Sequence, residues 1–536
     1  MAGKVNKFRQ KVSSCGFAAF RPESLRLSGR HRTGGGEAAD HSKVTNEDAE
    51  GTEVIQRFQM GARSWYCRSE ARSRCSILKL DKNFSHQSES VTTTPSFEQH
   101  CIEPACRSRY DLTEPIYVCP RCAGLLDITW THAPPHDNYT LRALWRARTT
   151  SQAARDRSGV WRFRELLPFA RDVSVVSLNE GNTPLYEATR CAAYCQIDSL
   201  QLKHQGANPT GSFKDTGMTV AVTQARVLGA RLVACASTGN TAASLAAYAA
   251  RANIACAIMV PTGQVSHAKL AQALDYGAKV LEIEGNFDSC MREIRELSED
   301  GLIYLVNSIN PFRIEGQKTV AFELAEQLGW NVPDHLVVPG GNLGNSSAFG
   351  KGFRELFALG LIKRMPRISV VQAVGAAPFA SYFSEFIQRP DEATFVDEPH
   401  PHTLASAIKI GAPVSWPKAF RAVYETGGQV LTVTEQEIAD AKAIIGSDGI
   451  GCEPASATTV AGIKKMSAAG EIRADETVVA VLTGHLLKDT DYVNKYHTNS
   501  LVDDDGQAIV GRYGNPPLRI SGGREQLRDV LAKLAT

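Results

Sequence analysis

The distribution of apolar residues along the chain predicts an α/β protein. Short apolar runs occur near residues 231–236, 255–260, 279–283, 302–306, 334–339, 367–374 and 478–482. Segments with the apolar spacing of helices separate these runs, and such alternation is typical of largely parallel sheets flanked by helices. We expect at least two α/β units, because 536 residues exceed what one compact core usually holds.

Charge and hydropathy exclude two classes of partner. Charged residues make up 22% of the chain and the formal net charge is only +2, which argues against binding to nucleic acid. No apolar run approaches the roughly 18 residues that a membrane-spanning helix needs. We therefore expect a small-molecule ligand, with neither nucleic acid nor a membrane as partner.

A tight turn with Pro209 and Gly211 carries Lys214. The turn joins an extended stretch, Leu200–His204, to a helical pattern over Met218–Leu228. A lysine held in such a turn is desolvated and loses its proton more easily, and a neutral amine is what Schiff-base chemistry requires. The alternative is an exposed loop lysine, which describes most lysines.

Two polar turns, each between an apolar strand and a helix, predict a phosphate-bearing ligand. In Ser237–Ser244, small residues let a flat ligand lie against the backbone, and the following helix offers free N–H groups. One capping hydroxyl is the simpler explanation of such a turn. In Val338–Ser347, glycines allow positive φ, so that N–H groups converge on an anion. Together with Lys214, these turns fit pyridoxal 5′-phosphate, a phosphate that carries an aldehyde.

Five motifs in one order resemble the threonine synthase family, whose members are pyridoxal-phosphate enzymes of the tryptophan-synthase-β-like fold. They are NPTGSFKDTGM from Asn208, STGNTAAS from Ser237, NSINPFRIEGQKT from Asn307, GNLGN from Gly341 and TGHLLKD from Thr483. The lysine motif alone admits the whole superfamily, including dehydratases and cysteine synthases, whereas the Asn307 motif narrows it to threonine synthases. The resemblance covers about residues 96–495 and implies a two-domain α/β fold of type II.

The resemblance implies a reaction and a set of site residues. The reaction converts O-phospho-L-homoserine and water to L-threonine and phosphate by a β,γ-replacement, the last step of threonine biosynthesis, and Lys214 would hold the cofactor and move protons. The cofactor's other contacts would be Asn240 at the phenolic oxygen, Thr483 at the pyridine nitrogen, and Gly341, Asn342, Leu343, Gly344 and Asn345 around its phosphate. The substrate phosphate would be held by Ser237, Thr241, Asn307, Ser308 and Arg313. The family also implies a homodimer.

Several alternatives stay open at the level of sequence. A relative with altered chemistry would degrade phosphorylated hydroxy-amino acids or act as a dehydratase, and the complete set over 307–313 argues against it. A binding protein on an inactive scaffold would have no use for Lys214. Glu453 either lines the edge of the cofactor or caps a helix, and Phe213 either packs beside the cofactor or belongs to the core.

Four of the 13 cysteines form a metal-binding pattern ahead of the catalytic motifs. Cys101, Cys106, Cys119 and Cys122 are spaced C-x4-C…C-x2-C, and four thiolates on two tight turns suit a tetrahedral Zn²⁺. We expect a structural zinc ribbon over residues 96–130. A ribbon that has lost its metal is the alternative, and two disulfides are less expected in a cytosolic enzyme.

The two ends of the chain differ in composition from its middle. The first 35 residues contain eight Lys or Arg and a single acidic residue, Glu23, which is the composition of a transit peptide, of a disordered leader or of a misassigned start. We predict a disordered leader over 1–95 on a cytoplasmic enzyme, with an organellar location as the alternative. The catalytic region with two α/β lobes then covers 131–500, and an extension over 501–536 ends in an amphipathic helix at Gly523–Leu534.

Overall fold

The computed structural model describes residues 96–132, 134, 136–263, 267–285 and 287–535, so the predicted leader over 1–95 lies outside it. The strands are β1 (Phe97–Cys101), β2 (Arg109–Tyr110), β3 (Leu126–Trp130), β4 (Leu185–Glu187), β5 (Leu200–His204), β6 (Leu232–Ala236), β7 (Ala255–Pro261), β8 (Lys279–Ile283), β9 (Tyr304–Leu305), β10 (His335–Pro339), β11 (Arg367–Ala373), β12 (Val430–Val433) and β13 (Val478–Leu482).

The α-helices alternate with these strands over most of the chain. They are α1 (Asn138–Arg148), α2 (Thr189–Cys195), α3 (Lys214–Val227), α4 (Asn240–Ala252), α5 (His267–Asp275), α6 (Phe287–Glu299), α7 (Pro311–Gln317), α8 (Thr319–Gln327), α9 (Gly344–Ala358), α10 (Pro378–Gln388), α11 (Trp416–Thr426), α12 (Glu435–Ser447), α13 (Pro454–Ala468), α14 (Thr490–His497) and α15 (Arg524–Leu534). No helix among these combines the length and the apolarity that crossing a bilayer requires.

Three sheets organise the described residues. The largest has the strand order β12-β11-β10-β13-β5-β4, in which all pairs are parallel except the edge pair of β4 with β5. A second sheet, β8-β7-β6-β9, is entirely parallel. The third, β2-β1-β3, is antiparallel and carries the cysteine pattern. The α/β fold with two parallel lobes and a small preceding ribbon is confirmed.

Strand β13, in the middle of the large sheet, is buried on both faces, which explains why it is apolar without interruption. In β13, Val478, Ala480 and Leu482 pack into one hydrophobic cluster. Val479 and Val481, which point the other way, pack into a second cluster on the opposite face. The same alternation divides the residues of β6 between two clusters of the smaller parallel sheet.

Helix α3 begins one turn earlier than the apolar pattern predicted, at Lys214 rather than Met218. Polar residues of the first turn obscured the start. The carboxylate of Asp215 accepts hydrogen bonds from the Thr210 N–H (2.7 Å) and Oγ1 (2.6 Å), and from Ser244 Oγ at 2.6 Å. An acidic side chain in the first turn is favourable to a helix, and this one also fixes the preceding turn. Lys214 is therefore the first residue of a rigid helix.

Candidate active site

The motifs singled out in the sequence meet where β5, β10 and β13 end. A cavity that opens to solvent lies there. Carboxyl ends of parallel strands are where ligands bind in open α/β sheets. Nine of the predicted site residues line this cavity: Lys214, Ser308, Arg313, Gly341, Asn342, Leu343, Gly344, Asn345 and Thr483.

The amine of Lys214 is placed for covalent chemistry. Burial lowers the pKa of Lys214 to about 7, and the positive charge of Arg313 adds to this effect, while Glu453 opposes it. About half of the amine is thus neutral at pH 7, the form that attacks an aldehyde. Nζ lies 3.8 Å from the centre of the Phe213 ring, and Phe213 itself borders the cavity.

The glycine-rich turn after β10 is shaped to receive an anion. Leu343 has a left-handed backbone with a φ of 62°, and helix α9 begins at the next residue. The first N–H groups of a helix lack partners within it and attract negative charge. A side chain at Gly341 would come within 3.2 Å of the Ala407 carbonyl oxygen, so glycine keeps the backbone close to its neighbour. Both polar atoms of the Asn345 carboxamide are buried without a partner, as expected where a polar ligand completes the site.

Glu453 joins two residues that the sequence assigned to opposite edges of the cofactor ring. Its Oε2 accepts a hydrogen bond from Asn240 Nδ2 at 2.9 Å, and its Oε1 accepts one from Thr483 Oγ1 at 3.1 Å. Glu453 precedes helix α13, yet its side chain makes no capping bond there. Of the two roles left open for Glu453, the structure therefore supports the one at the cavity. Burial raises its pKa, against the effect of both hydrogen bonds.

Arg313 is a buried cation, and no carboxylate among the described residues pairs with it. The side chain is only 2% exposed, Nη1 donates to the Val306 carbonyl over 3.4 Å, and Nε has no partner. Burial lowers the pKa of Arg313 to about 10, so the guanidinium stays charged at neutral pH. A buried, unpaired charge is costly. We therefore expect the cavity beside Lys214 to bind an anion.

Comparison with known proteins agrees with this geometry. Residues 176–484 match the family model of the pyridoxal-phosphate dependent enzymes. The threonine synthase of Methanocaldococcus jannaschii is 46% identical over 395 residues, which cover 73% of this chain and 93% of that protein. The threonine synthase of Methanosarcina acetivorans is 45% identical over 390 residues, 73% of this chain and 91% of that protein. The chain belongs to the threonine synthase family.

Membership of the threonine synthase family confirms the resemblance seen in the motifs, and with it pyridoxal phosphate as the cofactor. The crystal structure of a fungal L-serine ammonia-lyase from Rhizomucor miehei has the same fold, with a TM-score of 0.51 and 19% identity. It covers 60% of this chain and 100% of that chain. Lys214 brings a buried amine to the cavity wall, the turn over 341–345 brings backbone N–H groups and Thr483 brings a hydroxyl, so the residues present fit the cofactor.

The remaining residues predicted for a threonine synthase site lie beside the cavity rather than on its wall. The carboxamide of Asn307 is bonded twice to the backbone of Ala236, each time over 3.0 Å. It therefore ties the end of β6 to the Asn307 motif. Ser237 Oγ accepts from the Gly239 N–H over 3.3 Å, and Thr241 is buried in the first turn of α4. Their contacts with substrate stay predictions.

Gln317 is a cavity residue that the sequence reasoning missed. It follows Arg313 by one turn of α7, borders the cavity, and its Oε1 is buried without a partner. Gln317 could have been predicted from its spacing, because it stands four residues after Arg313 in the same motif and residues four apart share a helix face. Ala407 and Ile408 also border the cavity, and no pattern in the sequence points to them.

The four cysteines ahead of the catalytic region form one cluster. Their Sγ atoms all lie within 4.8 Å of one another, with Cys101 and Cys122 separated by 3.4 Å and Cys106 and Cys119 by 3.6 Å. These distances exceed the roughly 2.05 Å of a disulfide and are close to those between thiolates around Zn²⁺, where each Zn–S bond is about 2.3 Å. The Tyr110 hydroxyl lies 3.0 Å from Cys119 Sγ, and hydrogen bonds of this kind orient the ligands of metal sites.

Proposed function

We propose that this chain converts O-phospho-L-homoserine and water to L-threonine and inorganic phosphate, as a pyridoxal-phosphate-dependent lyase. The observation that carries the proposal is that the buried Arg313 guanidinium, in the same cavity as the Lys214 amine, has no ion pair with a carboxylate of the described residues and keeps a free Nε. Such a pair suits a substrate that is both an amino acid and a phosphate ester. A guanidinium offers directional, charge-assisted bonds to a phosphate dianion.

The residues that would hold the cofactor surround Lys214. The backbone N–H groups over 341–345 would bind its phosphate, and Asn240 and Thr483 would meet two edges of its ring. When bound, pyridoxal phosphate supplies a conjugated ring that withdraws electrons from the α-carbon of the substrate. The neutral hydroxyl of Thr483, unlike a carboxylate, does not hold a full positive charge on the ring nitrogen, and this tempers the withdrawal.

Lys214 would then move the protons of the reaction. Once free, its amine takes the α-proton, and a pKa of about 7 matches the requirement that a general base titrate near the working pH. The same amine would deliver a proton to the γ-carbon after phosphate has left. Arg313 would hold the phosphate while it departs, and Ser308, also on the cavity wall, would add a hydroxyl contact.

A single incubation tests the proposal against a dehydratase. The full chain loaded with pyridoxal phosphate is incubated separately with O-phospho-L-homoserine, L-threonine and L-serine. We expect inorganic phosphate and threonine to appear in equal amounts from the first compound only. Release of ammonia and an oxo acid from threonine or serine, without threonine formation from the phosphate ester, would replace the proposal with a dehydratase.

We also propose that Cys101, Cys106, Cys119 and Cys122 bind one structural Zn²⁺. Four sulfur ligands leave no open coordination position, so the metal would stabilise the ribbon and take no part in the reaction. The homodimer and the cytoplasmic location expected from the sequence stay predictions.

A further inference from the structure

The small cysteine-bearing sheet is joined to two active-site helices by a network of buried ion pairs. Asp127 lies on β3 of this sheet and its Oδ1 is 2.8 Å from Lys351 Nζ in helix α9. Lys351 also pairs with Glu315 in helix α7. Lys418 of helix α11 approaches Asp127 to 3.8 Å. Asp127 thus contacts α9, which begins at the cofactor-phosphate turn, and is linked through Lys351 and Glu315 to α7, which carries Arg313.

Glu315 transmits this contact to the substrate side of the cavity. It follows Arg313 by two residues on the short helix α7, and its side chain is fully buried. Lys318 holds the other oxygen of Glu315 over 2.6 Å and also pairs with Glu355 over 2.9 Å. Because the side chains of Glu315 and Lys318 are fully buried, we expect a shift of either lysine to displace Glu315 and the helix that carries it.

The ribbon also holds the other end of the segment that bears Arg313. Tyr117 accepts a hydrogen bond at its hydroxyl oxygen from the Leu305 N–H over 2.8 Å. Its ring packs edge-on against Tyr304, with centroids 5.8 Å apart. Val306 follows Leu305, and its backbone carbonyl accepts the hydrogen bond from Arg313 Nη1. Both ends of the stretch over 305–315 are therefore attached to the ribbon.

We propose that the ribbon positions Arg313 for the substrate phosphate, with Asp127 and Tyr117 as its two positioning residues. The inference rests on the proposed function and adds to it a role for the ribbon in substrate binding. Asp127 keeps its charge at working pH. Burial alone would raise the pKa of Asp127, but the ammonium groups of Lys351 and Lys418 outweigh it and hold the pKa well below its usual range.

Two substitutions in the full chain, loaded with pyridoxal phosphate, test the proposal. Asp127→Asn removes the charge that orients Lys351, and Tyr117→Phe removes only the oxygen that accepts from Leu305. For each we expect the KM for O-phospho-L-homoserine to rise about fivefold or more, as for residues coupled through one network. The kcat and the cofactor absorbance should stay within about twofold, a split that general destabilisation does not produce.

Calorimetry with inorganic phosphate makes the test independent of which reaction the protein catalyses. The Kd for phosphate should rise in parallel with KM in both variants. Glu98→Gln is the matched control, since it makes the same chemical change on the neighbouring strand β1, where Glu98 pairs with the exposed Arg109 at 3.1 Å. This control should bind phosphate as the wild type does.

A double variant separates positioning from charge balance. The variant that combines Asp127→Asn with Lys418→Met loses one negative and one positive charge. We expect its unfolding temperature to be closer to that of the wild type than that of Asp127→Asn alone, while its phosphate binding stays weak. Recovery of phosphate binding as well, or unchanged phosphate binding in both Asp127→Asn and Tyr117→Phe, would overturn the inference. Failure of the proposed function has a different signature, namely a wild type that binds phosphate but forms no threonine.

Discussion

The charge state of Lys214 is the residue property on which the chemistry depends. An ordinary lysine has a pKa near about 10.4, whereas burial and the nearby Arg313 lower that of Lys214 to about 7. Below pH 7 the amine is mostly protonated and unable to attack an aldehyde. Above pH 7 it is mostly neutral.

This shift predicts how cofactor uptake depends on pH. In protein freed of pyridoxal phosphate, the rate of reconstitution should rise as the pH passes through about 7 and level off by about pH 8. The rate is followed by the absorbance of the bound cofactor. N-acetyl-lysine methyl amide serves as a control, and its reaction should keep accelerating to about pH 10. A protein rate that follows the control would contradict the depressed pKa.

Arg313 predicts a second residue effect, confined to the phosphate ester. Arg313→Gln should raise the KM for O-phospho-L-homoserine by about 100-fold or more, because a buried charge-assisted pair is lost. The affinity for pyridoxal phosphate, measured by absorbance titration, should change little. Arg313→Lys keeps the charge but loses the planar guanidinium, so its KM should lie between that of the wild type and that of Arg313→Gln. An unchanged KM in Arg313→Gln would remove this residue from the substrate site.

At the scale of single elements, the start of helix α12 is set by a reciprocal pair of hydrogen bonds. Thr434 Oγ1 accepts from the Glu437 N–H over 3.3 Å, and Glu437 Oε2 accepts from the Thr434 N–H over 2.7 Å. This capping box satisfies two donors that the helix would otherwise leave free. Its residues lie outside the cavity wall, so their contribution is to stability alone.

Thr434→Ala should therefore lower the free energy of unfolding by about 1 kcal/mol. The change is measured from the unfolding midpoint in urea. Thr434→Ser keeps the accepting oxygen and should lose much less. Both variants should retain wild-type kcat and KM at 25 °C, and a loss of activity in a folded Thr434→Ala protein would mean that α12 has a role in the site.

Which elements could be predicted from sequence follows from how each is buried. Each of the seven apolar runs contains a strand of the two larger sheets. For β7, β10 and β13 the reason is burial on both faces, which favours apolar residues at most positions. The apolar pattern did not predict β12, because Val430–Val433 lies at the sheet edge and is only partly buried over most of its length. The pattern did not predict the short edge strand β4 for the same reason. The amphipathic helix expected over Gly523–Leu534 is confirmed as α15, one residue shorter.

The site was predictable where its residues share a local motif and was not where they meet only in the fold. Lys214, Arg313 and the turn over 341–345 each stand in a distinctive string, and the cavity brings them together. Glu453 is separated by more than 200 residues from Asn240, its hydrogen-bond partner. No periodicity in the sequence encodes such a contact.

At the scale of the whole molecule, the site lies where three separate elements converge on the carboxyl ends of the strands. The large sheet provides the lysine and the anion cradle, the segment over 305–315 provides the buried cation, and the ribbon is attached to that segment at Leu305 and Glu315. Order in the ribbon is thus a condition for order around Arg313. The cluster inside the ribbon, around Leu126, is small, so the ribbon depends on further contacts for its order.

A bound metal would supply the missing stability, and this gives the last prediction. The full chain purified without added metal should contain about one zinc per chain, because four thiolates within 4.8 Å of one another match a tetrahedral site. Cys119→Ser should lose the zinc and have a lower unfolding temperature. Cys256 is a buried cysteine of β7 outside the cluster, so Cys256→Ala should keep the zinc. Metal is measured by atomic emission and unfolding by calorimetry. A folded, active protein with almost no zinc would show that sulfur packing alone stabilises the ribbon.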